Sequence, residues 1–253
     1  MRLSCVAWLA FSMIAVLACT ESERLPRGPG GPSTGSGTPG DAGSDGDGGN
    51  DGKLTGRICR IVDLSRPGVC SQLADMSNIM VGIAGSPSKV QTSRDGSFTI
   101  DVGTASTVVL EAAVATPGLQ RTLLLLSSQD GFTRVSVPVV DAGYLATLID
   151  ALDVPLAQET GIVAVYPTLA GKPLDGVVID SISFSGGLFY DAGGPLDWLE
   201  AGLTSTSGAA LVFGVSPPIT QLVAADTITN TIVDVDSIPV GAEAVTFVSV
   251  SFD

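Results

Sequence analysis

From residue 54 onward the apolar residues come in short runs with a period of two, and nothing else in the chain restricts the fold as much. Runs at 54–62, 79–84, 89–92, 98–102, 108–115, 121–126 and 134–140 are rich in Val, Ile and Thr. Turn-forming pairs such as Asp95-Gly96 and Asp130-Gly131 separate them. Val135, Val137 and Val139 share one face around Ser136 and Pro138. Seven such strands in so short a stretch predict a β-sandwich. The pattern restarts at 162–166 and continues through 177–184, 188–190, 209–215, 221–225, 229–233 and 245–252. The expected class is all-β, with two consecutive seven-stranded sandwiches at 54–141 and 160–253.

Between them the period changes. Leu145, Leu148, Ile149 and Leu152 are spaced as one stripe of a helix over 144–152, Asp141 is placed to cap it, and Pro155 ends it. A helix of this length is not stable alone in water. Its stripe is therefore expected to be buried against one sandwich or between both, with 142–159 as the connector.

The two halves show a weak internal repeat. Gly56-Arg57-Ile58 corresponds to Gly161-Ile162-Val163, Asn78-Ile79-Met80-Val81 to Gly176-Val177-Val178-Ile179, and Gly96-Ser97-Phe98-Thr99-Ile100 to Gly208-Ala209-Ala210-Leu211-Val212. An apolar strand follows in each half, at 108–115 and 221–225. In the first half Thr92-Ser93-Arg94-Asp95-Gly96-Ser97-Phe98-Thr99-Ile100 has the form T-x-x-D-G-x-F-x-I, and in the second Pro173-Leu174-Asp175-Gly176-Val177-Val178-Ile179 has the form P-L-x-G-V-x-V. These motifs and their order resemble the carboxypeptidase regulatory-like family of transthyretin-like β-sandwiches. The resemblance implies accessory modules that stabilise, space or bind and carry no catalytic residues. The first half departs from the family by an insertion at 65–77, the second by Thr206-Ser207-Gly208-Ala209-Ala210 in place of the D-G-x-F hairpin.

The amino-terminal region is of another kind. Residues 1–18 hold one charge, Arg2, before an apolar run at 6–18, too short for a comfortable transmembrane span and suited to a secretory signal. The run closes on Val16-Leu17-Ala18-Cys19, which resembles the lipobox of bacterial lipoproteins. That resemblance implies cleavage before Cys19, a diacylglycerol on its thiol and acylation of the new amine, and so an anchor in the membrane. An ordinary signal peptidase would cut the same bond. Thr20 stands where an aspartate would favour inner-membrane retention, so the outer membrane is the expected address, with either periplasmic or surface exposure. Residues 19–53 follow as a linker: eleven of the 31 glycines lie between 20 and 53, and no large apolar residue lies between Pro26 and Lys53. Such a segment cannot offset the entropy of ordering and reads as a disordered tether, with an r.m.s. span of ~30 Å. Two motif matches within it lack their context. Gly31-Pro32-Ser33-Thr34-Gly35 has no strand before it or helix after it, and the acidic stretch from Asp45 to Asp51 lacks the ligands that close a calcium loop.

Composition removes several functions. With no histidine there is no Ser-His-Asp triad, Cys-His pair or His-ligated zinc. A formal net charge of −14 argues against nucleic acid as a partner. Cys5 leaves with the signal, so Cys59 and Cys70 remain together in an exported chain. Their spacing is not that of a redox C-x-x-C pair and two thiols alone make a poor metal site, so a disulfide pinning the insertion to the first strand is expected. Residues 160–253 hold one cation, Lys172, against ten acids; solubility is the simpler reading, with a calcium site at a sandwich end as its rival. Aromatic side chains cluster only at Phe189, Tyr190 and Trp198. Packing is the simpler role there, while Tyr190 and Trp198 are the candidate ligand-binding pair if an envelope glycan is bound. The resulting expectation is a non-enzymatic, lipid-anchored envelope protein without cofactor or catalytic residues, with a structural or binding role toward an envelope protein or glycan. The alternative is a carbohydrate- or peptidoglycan-binding module.

Overall fold

The period-two runs become strands in the computed structural model, which describes residues 52–71, 75–127, 132–181 and 183–252. The first half contains β1 (Lys53–Ile61), β2 (Met80–Ile83), β3 (Lys89–Gln91), β4 (Ser97–Asp101), β5 (Thr107–Ala112), β6 (Arg121–Ser127) and β7 (Val135–Val140). The helix α1 (Ala142–Ala151) follows. The second half contains β8 (Gly161–Leu169), β9 (Lys172–Pro173), β10 (Val177–Ser181), β11 (Phe184–Gly194), β12 (Asp197–Leu199), β13 (Ala210–Val215), β14 (Ile219–Asp226), β15 (Ile232–Pro239) and β16 (Ala244–Ser251). The fold is all-β with one helix among the described residues. None of these is a helix long and apolar enough to cross a membrane.

The repeat read from the sequence is a repeat of strand pairing. In the first half β1 pairs antiparallel with β4 and parallel with β7, and β5 lies between β2 and β6. In the second half β8 pairs antiparallel with β13 and parallel with β16, and β14 lies between β10 and β15. Each half is thus two facing sheets. Leu54, Ile58, Phe98 and Val137 meet Val81 and Leu110 in the first core, while Val163, Val165 and Val212 meet Ile179, Leu222 and Ala224 in the second. These are the alternate residues of each run, as a sheet with one inward face requires.

Two corrections to the expected layout have a common cause. The halves are not merely consecutive: β6 pairs in parallel with β16 over Arg121–Leu124 and Ala244–Phe247, so one ten-stranded sheet runs β12-β11-β13-β8-β16-β6-β5-β2-β3, with β9 on β8. The second half has nine strands and not seven, because β9 and β12 are added at the sides of β8 and β11. The cause is that β8, β13 and β16 carry near-continuous apolar runs: β13 is buried throughout, β8 along Gly161–Val165, and β16 along its first five residues. Strands of this kind need cover on both faces. One face is the second core. On the other, Ile162, Leu211, Phe213 and Phe247 meet Leu145 and Leu148 of α1 together with Ile61 and Leu64 of the first half. Ile149 and Leu152 pack half-buried on the same cluster, so the whole helical stripe is used. Asp141 caps the helix, its carboxylate accepting from the Tyr144 amide at 2.8 Å, and also pairs with Arg60 of β1. The start of the helix is thereby fixed to the first half and its side to the second.

Candidate functional site

Cys19, the signal and the tether lie outside the described residues. Cys59 and Cys70 form a disulfide, their Cα atoms 5.0 Å apart. Cys59 is buried at the end of β1 and Cys70 is exposed, and the Ser71 amide donates to the Arg60 carbonyl at 2.7 Å. The insertion is therefore closed back onto the strand that precedes it.

Tyr190 and Trp198 do not form a platform. Phe189 and Tyr190 do point to opposite faces of β11, but both faces are covered, and Tyr190 and Trp198 are only 4% and 6% exposed. The Tyr190 hydroxyl donates to the Ile179 carbonyl at 3.3 Å and accepts from the Ile179 amide at 2.9 Å. The Trp198 indole donates to the Pro195 carbonyl at 3.4 Å, and Phe189 packs edge-on against Phe213 with centroids 5.6 Å apart. The structure brings these aromatics into the interior, on two sides of one sheet. Among the described residues, no three Asp, Glu, Cys or His side chains converge as metal ligands.

What the fold does open is a cleft of about 450 Å³ where the disulfide-closed insertion faces the second half. One wall is the loop Ser65, Arg66, Pro67 and Gly68; the other is Tyr166 to Thr168 at the end of β8 with Asp191, Thr206 and Ser207. The wall from the first half is held by one residue. Leu64 is fully buried, its amide donates to the Tyr144 hydroxyl at 3.0 Å, and its carbonyl accepts from the Tyr166 hydroxyl at 2.7 Å. Tyr144 in turn donates to the Pro195 carbonyl at 2.7 Å, and the Tyr166 ring stacks on Phe247 at 5.9 Å. Burial raises both phenols, Tyr144 to about 12, with the nearby Asp63 carboxylate adding to each and the Leu64 amide pulling Tyr144 back. Both hydroxyls thus stay neutral and able to donate at any physiological pH.

Asp191 is the polar centre of the opposite wall, 4% exposed. One carboxylate oxygen accepts from the Gly193 amide at 3.0 Å; the other accepts from the Ser205 hydroxyl at 2.9 Å and from the Ser207 hydroxyl. In the sequence Asp191 counts only as one of ten acids, and Ser207 only as part of the segment that replaces the D-G-x-F hairpin. A signal was present: an aspartate directly after Phe189-Tyr190 in a strand is out of place by propensity and needs local partners. Tyr144 and Tyr166 gave none, since each looks like an ordinary half-buried residue at an element's end.

No protein-family model matches the chain, and no curated protein matches it in sequence. Among solved structures it is similar to an interface mutant of a type II cohesin–X-dockerin complex from Acetivibrio cellulolyticus, at 12% identity and a TM-score of 0.28, over 43% of this chain and 76% of that one. It is also similar to the Bacillus anthracis TIE protein, at 11% identity and 0.25, over 78% of this chain and 33% of that one. A streptococcal ancillary pilin matches at 10% identity and 0.23, over 79% and 68%. Scores this low do not extend to a shared function.

Proposed function

We propose that this chain is an exported cell-envelope lipoprotein, anchored through Cys19, whose two fused sandwiches of the transthyretin-like kind serve a non-catalytic binding or structural role. The observation that carries the reading is the Cys59–Cys70 disulfide. Disulfides persist in oxidising compartments, so the bond supports export independently of the amino-terminal sequence. The leader and the lipobox-like Val16-Leu17-Ala18-Cys19 then supply the address, and the Gly-rich segment the spacing from the membrane. The outer membrane is the favoured location because Thr20, and not an aspartate, follows Cys19. The continuous sheet that joins the halves through β6 and β16 favours a rigid module over a hinged one.

The test is labelling of producing cells with an alkynyl fatty acid. The wild-type chain should carry label into the membrane fraction and Cys19→Ser should not. Equal labelling of the two, or a fully unlabelled wild type, would overturn the anchor.

A further inference from the structure

We infer that the cleft between the disulfide-closed insertion and the second half is a binding site for a neutral saccharide. The inference rests on the binding role proposed above and gives it a place and a ligand chemistry; it does not depend on the lipid anchor.

The volume, about 450 Å³, lies within the range of ligand clefts, and a junction between two packed halves is where such clefts commonly form. Its charges cancel. Arg66 is the cation and Asp191 the acid among the residues lining it, and the Asp191 charge is already met by two hydroxyls and an amide. One charge of each sign offers an ion little net attraction, and the net charge of −14 further disfavours an anion. What remains is directional. A carboxylate has about four acceptor positions, and three on Asp191 are filled, leaving one. The Ser207 hydroxyl spends its proton on Asp191 and keeps acceptor capacity, and Thr206 stands exposed beside it. Arg66 brings donors: its side chain is 63% exposed and only loosely tied to Asp63, at 3.9 Å. The exposed ring of Pro173 and the half-buried ring of Pro67 line the cleft with these polar groups. Hydrogen-bonding groups of both kinds beside saturated apolar carbon match a sugar, which presents hydroxyls and C–H groups.

Both walls are set before any ligand arrives. The first lies inside the loop closed by the disulfide and is nailed at Leu64 by two tyrosine hydroxyls; the second is drawn together by Asp191. A preformed site does not spend binding energy on ordering its loops.

The experiment is a calorimetric titration of the purified full chain with maltotriose, cellotriose and chitotriose, with trigalacturonate as the charged control. At least one neutral trisaccharide should bind saturably, more tightly than trigalacturonate. Ser207→Ala should weaken it about 2–10-fold, the loss of one hydrogen bond. Because Ser207 also supports Asp191, two exposed positions decide the matter. Gly68→Leu puts a side chain where no heavy atom lies within 4 Å of the new Cβ, so the fold tolerates it while the cleft is narrowed; binding should fall at least tenfold. Arg66→Ala should also weaken it several-fold with the melting temperature unchanged. Absence of saturable binding by all three neutral sugars overturns the inference. So does binding that survives both Gly68→Leu and Arg66→Ala, or trigalacturonate binding as tightly as the best neutral sugar. None of these outcomes would touch the fatty-acid labelling of Cys19.

Discussion

Leu148 stands at the point where the helix closes the outer face of the shared sheet, and truncating it tests whether the halves unfold as one. Leu148 is fully buried, in one cluster with Ile61 and Leu64 of the first half and Phe213 and Phe247 of the second. Leu148→Ala removes three carbons, worth roughly 0.8 kcal/mol each in transfer free energy, or about 2.4 kcal/mol. The cluster draws its residues from seven strands, from loops and from the helix, so little collapse into the void is expected. The cavity term then brings the loss to about 3–5 kcal/mol. For a unit of this size each kcal/mol lowers the melting temperature by about 2–4 °C, so a fall of about 10 °C is expected. Trp198 is buried in the same cluster, so its emission reports on the packing around the helix, while far-UV circular dichroism reports on strands of both halves. In denaturant the two signals should coincide in the wild type and in the variant, both displaced by the same amount. Two separated transitions, with only the fluorescence one displaced by the substitution, would refute the claim of a single cooperative unit. A loss below about 1 kcal/mol would refute the claim that the helix is docked.

Two further perturbations test the elements that fix the helix and the insertion. Cys59→Ser opens a loop with a sequence separation of 11, which the chain-entropy model values at about 3 kcal/mol, and reduced wild type should show the same loss in denaturant unfolding. Burial alone would raise the Asp141 carboxyl, but hydrogen bonds from Arg60 and the Tyr144 amide outweigh it and hold the group below its ordinary value. A depressed folded-state pKa stabilises above the unfolded value near ~3.9 and is lost as pH falls through the folded one, so wild-type stability should drop below about pH 4. Asp141→Asn should cost about 1–3 kcal/mol at neutral pH and flatten that acid limb, and an unchanged limb would remove Asp141 from the account.

Much of this architecture is written in the order of residues. The alternation of Val135, Val137 and Val139 does place them in the first core, and the stripe Leu145, Leu148, Ile149 and Leu152 with its Asp141 cap is the helix found. Where the reading failed, tertiary contact overrode local pattern. β11 runs from Phe184 to Gly194, whereas only 188–190 reads as a strand, because Gly186-Gly187 looks like a turn. In the structure a Cβ on Gly186 would sit 2.9 Å from the Phe213 side chain, so glycine is needed there for close approach to β13. The continuous apolar runs at 162–165 and 209–215 signal strands covered on both sides, but a single sequence does not reveal what covers them. The Tyr190 and Trp198 pair fails for a simpler reason. Large aromatics are usually buried, and scarcity in a chain does not move them to the surface.

The pairing of β16 also explains why the two halves can share a repeat and yet not be separate modules. β7 and β16 are equivalent strands, each returning parallel to the first strand of its half. β7 contains Pro138, which has no N–H to donate to a further strand, and β7 stays at the edge of its three-stranded sheet. β16 has no proline between Ala244 and Ser251, and its free edge takes up β6 of the other half. A single kind of strand thus ends one sheet and extends the other, according to whether its outer edge can donate. The consequence falls on the cleft. Its two walls belong to different halves, and their spacing is set by the β6–β16 ladder together with the helix and Leu64, not by a flexible linker. Any change that loosens that ladder should alter the cleft before it alters either core.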